Sequence, residues 1–481
     1  MAITPYSRVT AKVLRSTLSE KTIHMSIDIK TNTELYDVAK LFYFGDCPNI
    51  YFTPVSERVF SVSVNGKVTS HAYDDDFYSI IPPEHRVQRL SKIAVYDALC
   101  DYTGRTMPWG ALTGVRPTKL FYECMRAGIS ASDAVSLMQR VYRISLSRAE
   151  ILNKIILAQH NKVNYSDEYY NLYVHIPYCS SRCSYCSFIS MPIDRCKDQS
   201  SHYVKLLCDE IKRSVEFFSV REKKLLSVYI GGGTPTSLCE GDLKELLRAI
   251  NVNGVEYTCE AGRPDTMTKE KCLIMKDYGV NRVCVNPQTL NEDTLNKIGR
   301  SHTVKQFYTA YDFAASLGFD INCDLIAGLE DETLDDFVKS YNGIKKLAPQ
   351  NITVHSLSKK NGSAIRYNEG ENIGATAMLD YVLSHMGEYN PYYLYRQKRQ
   401  AGNLENIGLA LPNKECINNI TTMEETVNVV ACGAGAISKL VGTNQIVRHA
   451  NVRDVGLYLS EYEFRLKAKL ECFSNVLDKS T

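Results

Sequence analysis

Long hydrophobic runs are missing from this chain: none approaches the roughly 20 apolar residues that a helix needs to span a bilayer. The opening residues, Met1-Ala-Ile-Thr-Pro-Tyr-Ser-Arg, hold no apolar signal core. Together these absences predict no membrane partner and a cytoplasmic location. An excess of one charge is missing too. Against 54 acidic residues stand 56 basic ones, for a net charge of +2 and no long like-charge run, which argues against a nucleic-acid partner. Disorder is excluded by a composition that is 44% hydrophobic and 23% charged, with enough apolar material for a sizeable core. Tryptophan occurs once, at Trp109, and reads as a packing anchor in preference to a substrate platform.

What the chain does have is cysteine, 16 of them, and three fall together in Cys179-Ser-Ser-Arg-Cys183-Ser-Tyr185-Cys186. This Cx3CxxC loop follows the apolar run Leu172-Tyr173-Val174-His175-Ile176. Three thiolates so placed can hold three corners of a cubane iron–sulfur cluster and leave the fourth iron open. A closed zinc site fits less well, because it wants a second CxxC or an HxxxH pair, and none follows. A disulfide cannot satisfy three cysteines. The cysteines scattered elsewhere suit a reducing compartment and read as core residues.

With its aromatic residue before the third cysteine, this loop resembles the signature of radical S-adenosylmethionine (SAM) enzymes. The longer string Leu172-Tyr-Val-His-Ile-Pro177-Tyr178-Cys179 resembles the oxygen-independent coproporphyrinogen III oxidases. The blocks Gly114-Val-Arg116-Pro-Thr-Lys119, Tyr395-Arg396-Gln-Lys398 and Gly402-Asn403-Leu-Glu-Asn look like the HemZ-type coproporphyrinogen dehydrogenase branch, over roughly residues 20–455. The resemblance implies a [4Fe-4S] cluster ligated by Cys179, Cys183 and Cys186, with SAM on the open iron. It also implies a porphyrinogen substrate, an electron donor and acceptor still to be identified, and a monomer. The reaction implied is decarboxylation of two propionates of coproporphyrinogen III to vinyl groups, giving protoporphyrinogen IX. No catalytic residue beyond the cofactor ligands is implied.

Periodicity divides the chain into three. Residues 1–165 read as an N-terminal α+β and helical domain of unknown role. It has strands over 21–29 and 58–64, an Asn65-Gly66 hairpin turn and helices over 84–103, 131–142 and 145–160. Residues 166–360 alternate strands (172–176, 226–230, 255–260, 281–285, 320–326, 352–356) with helical segments, which predicts an α/β fold: a partial (β/α)6 barrel with chemistry at the strand C-termini. Residues 361–481 are expected to form an accessory domain over the barrel mouth.

Each motif falls at such a strand end. In Gly231-Gly232-Gly233-Thr234 a ligand can approach backbone with no Cβ in the way. By resemblance Gly232, Gly233 and Thr234 bind the methionine amine of SAM, Glu260 its ribose, Gln288 the nucleoside, and Arg300 the methionine carboxylate. Asp324, His355 and Ile437 also line the SAM site by resemblance; Tyr185 lies against adenine and Tyr173 near the cluster. The rival reading of these tyrosines is core packing, and of Glu260 a solvated carboxylate. Arg116 and Lys119, at a helix start marked by Pro117, can bind a propionate or simply face solvent. Arg396, Lys398 and Asn403 are further candidate substrate contacts.

One departure bears on function. The well-known oxidases carry a further cysteine two positions after the third, where this chain has Phe188. The related heme-trafficking proteins carry Phe there as well. A heme-binding chaperone on a radical SAM scaffold is therefore the alternative, and a radical SAM enzyme with another substrate is a third.

Overall fold

The computed structural model describes residues 26–43, 46–74, 81, 83–114, 116–163, 165–188, 190–358, 373–397, 403–442 and 445–478. They form two compact units. One holds the described residues up to Asn153 together with Asn403 and Leu404, and the other holds the rest from Lys154 onward.

The first unit carries a four-stranded antiparallel sheet of β1 (Ile27–Asp28), β2 (Ile50–Pro54), β3 (Val59–Val64) and β4 (Lys67–Ala72). Asn65 and Gly66 join β3 to β4 with φ of 48° and 84°, the left-handed pair that suits a two-residue hairpin. The strand expected over 21–29 lies outside the described residues before position 26, and only Ile27–Asp28 pair. Helices follow at Arg86–Thr103, closed by Gly104 at φ 68°, then at Pro117–Arg126 and Ala131–Tyr142. Trp109 is fully buried, as a packing anchor should be.

In the second unit, β5 (Tyr169–Ile176) leads through the short pair β6 (Tyr178–Cys179) and β7 (Met191–Pro192) to β8 (Lys224–Gly232), β9 (Glu256–Cys259), β10 (Arg282–Cys284), β11 (Asp320–Ala327) and β12 (Asn351–Ser356). Apart from the short pair these strands run parallel and in sequence order, with helices such as Lys197–Ser219, Val304–Ser316 and Leu334–Leu347 between them. Six strand–helix units in an unclosed sheet make the partial (β/α)6 barrel that the periodicity predicts. Alternation decides which side each residue faces. Val228, Ile230, Cys323, Leu325, Ile352 and Val354 are buried, while their neighbours Tyr229, Asn322, Asp324, Thr353 and His355 line a central cavity.

The tail departs from expectation. Instead of a separate accessory domain, residues after 373 extend the barrel sheet at both edges. On one side β14 (Asn406–Ala410) pairs antiparallel with β12 and carries β13 (Asn390–Tyr395) outside it. On the other, β15 (Asn428–Cys432) lies parallel to β5, followed by antiparallel β16 (Ile437–Val441) and β17 (Ile446–Ala450). The helix Tyr462–Leu477 supplies Lys469, whose Nζ donates to Glu210 Oε1 at 2.7 Å and to the Ala431 carbonyl at 2.8 Å. Glu210 also accepts from Tyr458 Oη, Asn451 Nδ2 and the Gly433 N–H. Burial alone would raise this carboxyl, yet Lys469 with these donors holds it below the ordinary carboxylate range.

Candidate cofactor site at the strand ends

A cavity of about 380 Å³ opens where the parallel strands end. Cys179, Cys183 and Cys186 all line it. Cys179 and Cys183 are buried and Cys186 partly so, and none of the chain's cysteines is paired in a disulfide. A turn from the Cys186 N–H to the Cys183 carbonyl shapes the loop, and Cys179 Sγ lies 3.4 Å from Thr234 Oγ1. Burial pushes the Cys179 thiol up to about 11. Among the described residues no three His, Cys, Asp or Glu side chains converge tightly enough to grip a single metal ion. The three thiols share the lining of one cavity.

The glycines are demanded by contact. Gly232 sits at φ 106°, and a Cβ there would stand 2.6 Å from His175 Nδ1; at Gly233 it would meet the Tyr178 carbonyl at 2.5 Å and Cys179 Sγ at 3.0 Å. Gly233→Ala is expected to cost about 2 kcal/mol through overpacking, seen as a lower denaturation midpoint in urea. Glu260 accepts from Tyr229 Oη at 2.6 Å and from the Gly232 N–H at 3.2 Å. Burial pushes its carboxyl up to about 7 against those two bonds, and Asp324 adds to the rise. Asp324 accepts from Asn286 and Asn322, each at 2.7 Å, and lies 3.5 Å from His355 Nε2.

Gln288 holds a left-handed backbone at φ 69°, an uncommon state for a residue with a side chain. Its buried Oε1 has no hydrogen-bond partner among the described residues, and the side chain lines the cavity. A strained residue with an unsatisfied buried acceptor aimed at a cavity is what a ligand site looks like before its ligand. The next residue, Thr289, donates its hydroxyl to buried Glu332. Burial raises the Glu332 carboxyl to about 7. Between about pH 4.5 and 7 the unfolded chain releases this proton while the folded chain keeps it, so stability falls as pH rises through that window. Glu332→Gln should remove that part of the slope and gain on the order of 2 kcal/mol at pH 8 relative to pH 5, read from urea melts at both.

The remaining predicted residues divide. Tyr185 and Arg300 line the cavity but engage each other: Arg300 Nε and Nη2 reach Tyr185 Oη at 3.2 and 2.9 Å, while Nη1 donates to the Gly262 carbonyl at 2.9 Å. Tyr173 is not in the lining; its ring stacks on Tyr229, which is, with centroids 6.2 Å apart. Ile437 begins β16, half-exposed and outside the lining. Its glycine loop packs against β5 instead, where a Cβ on Gly433 would stand 2.5 Å from the His175 carbonyl. Arg396 is buried near Glu405, and its neighbour Gln397 lines the cavity in its place. Lys398 lies outside the described residues. Asn403, Arg116 and Lys119 belong to the first unit, where Lys119 is exposed on the opening turn of Pro117–Arg126 and Arg116 is its partly buried N-cap. Sequence reading missed Arg263, whose Nη1 donates to Cys183 Sγ at 3.4 Å. Nothing in the spacing from 183 to 263 signals that contact.

The Radical SAM superfamily matches residues 173–343. The chain is similar to the oxygen-independent coproporphyrinogen-III oxidase-like protein HemZ of Bacillus subtilis, 32% identical over 93% of this chain and 95% of that one. It is also similar to the heme chaperone HemW of the same organism, 36% identical over 38% of this chain and 49% of HemW. In fold it resembles coproporphyrinogen III oxidase HemN of Escherichia coli, with a TM-score of 0.52, 19% identity and coverage of 64% of this chain and 72% of that one. The cofactors of the superfamily are a [4Fe-4S] cluster and SAM, and the three thiols, glycine cradle and unsatisfied Gln288 fit both groups. The chain therefore belongs to the radical SAM superfamily, in the family of the coproporphyrinogen-III oxidase-like protein HemZ.

Proposed function

We propose that this protein is an enzyme that decarboxylates two propionates of coproporphyrinogen III to vinyl groups without oxygen. The observation that carries the reading is the gathering of three thiols, a glycine cradle and the Glu260 and Asp324 carboxyls around one cavity, in a chain similar to HemZ over nearly its whole length. Held by Cys179, Cys183 and Cys186, a reduced cluster together with SAM would supply the one-electron chemistry that removes a hydrogen atom from a propionate β-carbon. That propionate then loses CO2, and one electron passes to an acceptor, leaving the vinyl group.

The chain's own residues bind and orient. Cys179, Cys183 and Cys186 ligate the cluster. The backbone of Gly232 and Gly233, with Thr234, receives the methionine amine, Glu260 accepts the ribose hydroxyls, and Gln288 satisfies its acceptor on the nucleoside. Arg300 reaches the methionine carboxylate by turning its fork from Tyr185, and Asp324 with His355 completes the wall. Holding the reacting carbons in contact is worth more than any single contact.

Phe188 supports a second reading. It stands on the cavity wall, 55% exposed, where a flat macrocycle can stack, and several relatives carry the name heme chaperone HemW. Incubating reconstituted protein anaerobically with SAM, reductant and coproporphyrinogen III, then separating porphyrins and deoxyadenosine, decides between them. Vinyl products support the enzyme, and tight heme binding with neither product supports the chaperone. Deoxyadenosine alone points to another substrate.

A further inference from the structure

Arg263 is 3% exposed and committed in four directions. Nη1 donates to Cys183 Sγ at 3.4 Å and to the Ser181 carbonyl at 3.3 Å, Nη2 donates to Ser301 Oγ at 3.3 Å, and Nε donates to Asp265 Oδ1 at 3.3 Å. Asp265 in turn accepts from Ser180 Oγ at 2.9 Å. A permanent cation is thus pinned against one sulfur of the cysteine loop, with its counter-charge one step further out.

The geometry points to Arg263 as a positioning residue that sets how readily the cluster held by Cys179, Cys183 and Cys186 accepts its electron, an inference resting on the cluster reading above. N–H donation to a ligand sulfur and a fixed positive charge both favour the reduced, more negative cluster. Asp265 opposes that effect while it holds the guanidinium in place. The pair therefore acts as a charge balance on a single thiolate.

The test needs no substrate. Full-length protein is reconstituted with iron and sulfide, both are quantified, and the reduced fraction is read by electron paramagnetic resonance at one fixed ambient potential. Arg263→Gln is expected to lower the ratio of reduced to oxidised cluster about tenfold, or about 59 mV for a one-electron couple. Arg263→Lys should retain most of the wild-type ratio. Asp265→Asn, whose oxygen still accepts from Arg263 Nε and whose NH2 donates to Ser180 Oγ, should raise the ratio. A loop staple without electrostatic influence would not move the two neutralising variants in opposite directions. An unchanged ratio in Arg263→Gln would overturn the inference. If that variant fails to hold iron, Asp265→Asn decides alone: a rise supports the inference, and an unchanged or lower ratio overturns it. Wild-type protein that bound no iron would overturn the cluster reading itself.

Discussion

Cys183→Ala is expected to abolish both the visible absorbance of the reconstituted cluster and the formation of deoxyadenosine from SAM, each falling to the level of a protein-free control. Residues 179–188 hold no fourth cysteine. Position 188 is Phe, the hydroxyl nearest Cys179 belongs to Thr234, and the nitrogen facing Cys183 belongs to an arginine that cannot ligate iron. Two thiols alone would leave the cluster exposed to loss of a second iron. Cys196→Ala is the control: this cysteine lies at the start of Lys197–Ser219, outside the cavity lining, and makes no side-chain cap there. Its variant should keep both signals. Retention of either signal in Cys183→Ala would contradict the ligand assignment.

Lys469→Met should be the most damaging single change away from the cavity, at about 3–5 kcal/mol, because it leaves Glu210 buried with its charge uncompensated. Both partners are at most 2% exposed. Tyr458, Asn451 and the Gly433 N–H would still donate to Glu210, but none carries charge. In the variant the cheapest remedy is to protonate the carboxylate, so the loss should shrink as pH is lowered. Adding Glu210→Gln to Lys469→Met should recover much of the deficit, since two neutral groups cost less than one stranded ion. Urea denaturation of the three proteins at two pH values measures all of this. A double variant no more stable than Lys469→Met would show that packing, not charge, holds this corner.

The barrel was readable in the sequence because each parallel strand is a short apolar run closed by a residue with evident chemistry: cysteine after β5, glycine ending β8, glutamate after β9. Local pattern suffices for such elements. It does not suffice for β14 and β15, whose strings Asn406-Ile-Gly-Leu-Ala410 and Asn428-Val-Val-Ala-Cys432 look alike yet join opposite edges of one sheet. Pairing between residues far apart in sequence decides that, and pattern is silent on it. The same limit explains Ile437, Arg396 and Arg263. The first two carry plausible side chains but stand outside the cavity lining, while the third belongs to the cysteine loop through a contact 80 positions distant.

The place of β15 has a consequence for how the protein is made. β5, which carries the cysteine loop, is flanked by β8 and by a strand more than 250 residues downstream. While the ribosome is still extending the chain, one side of β5 has no neighbour, and its backbone donors and acceptors there are met only by water. That side is closed only by residues 428–432, whose Ala431 carbonyl accepts from Lys469. A chain truncated before Asn428 would leave that edge of β5, the strand that leads into the cysteine loop, without its parallel partner.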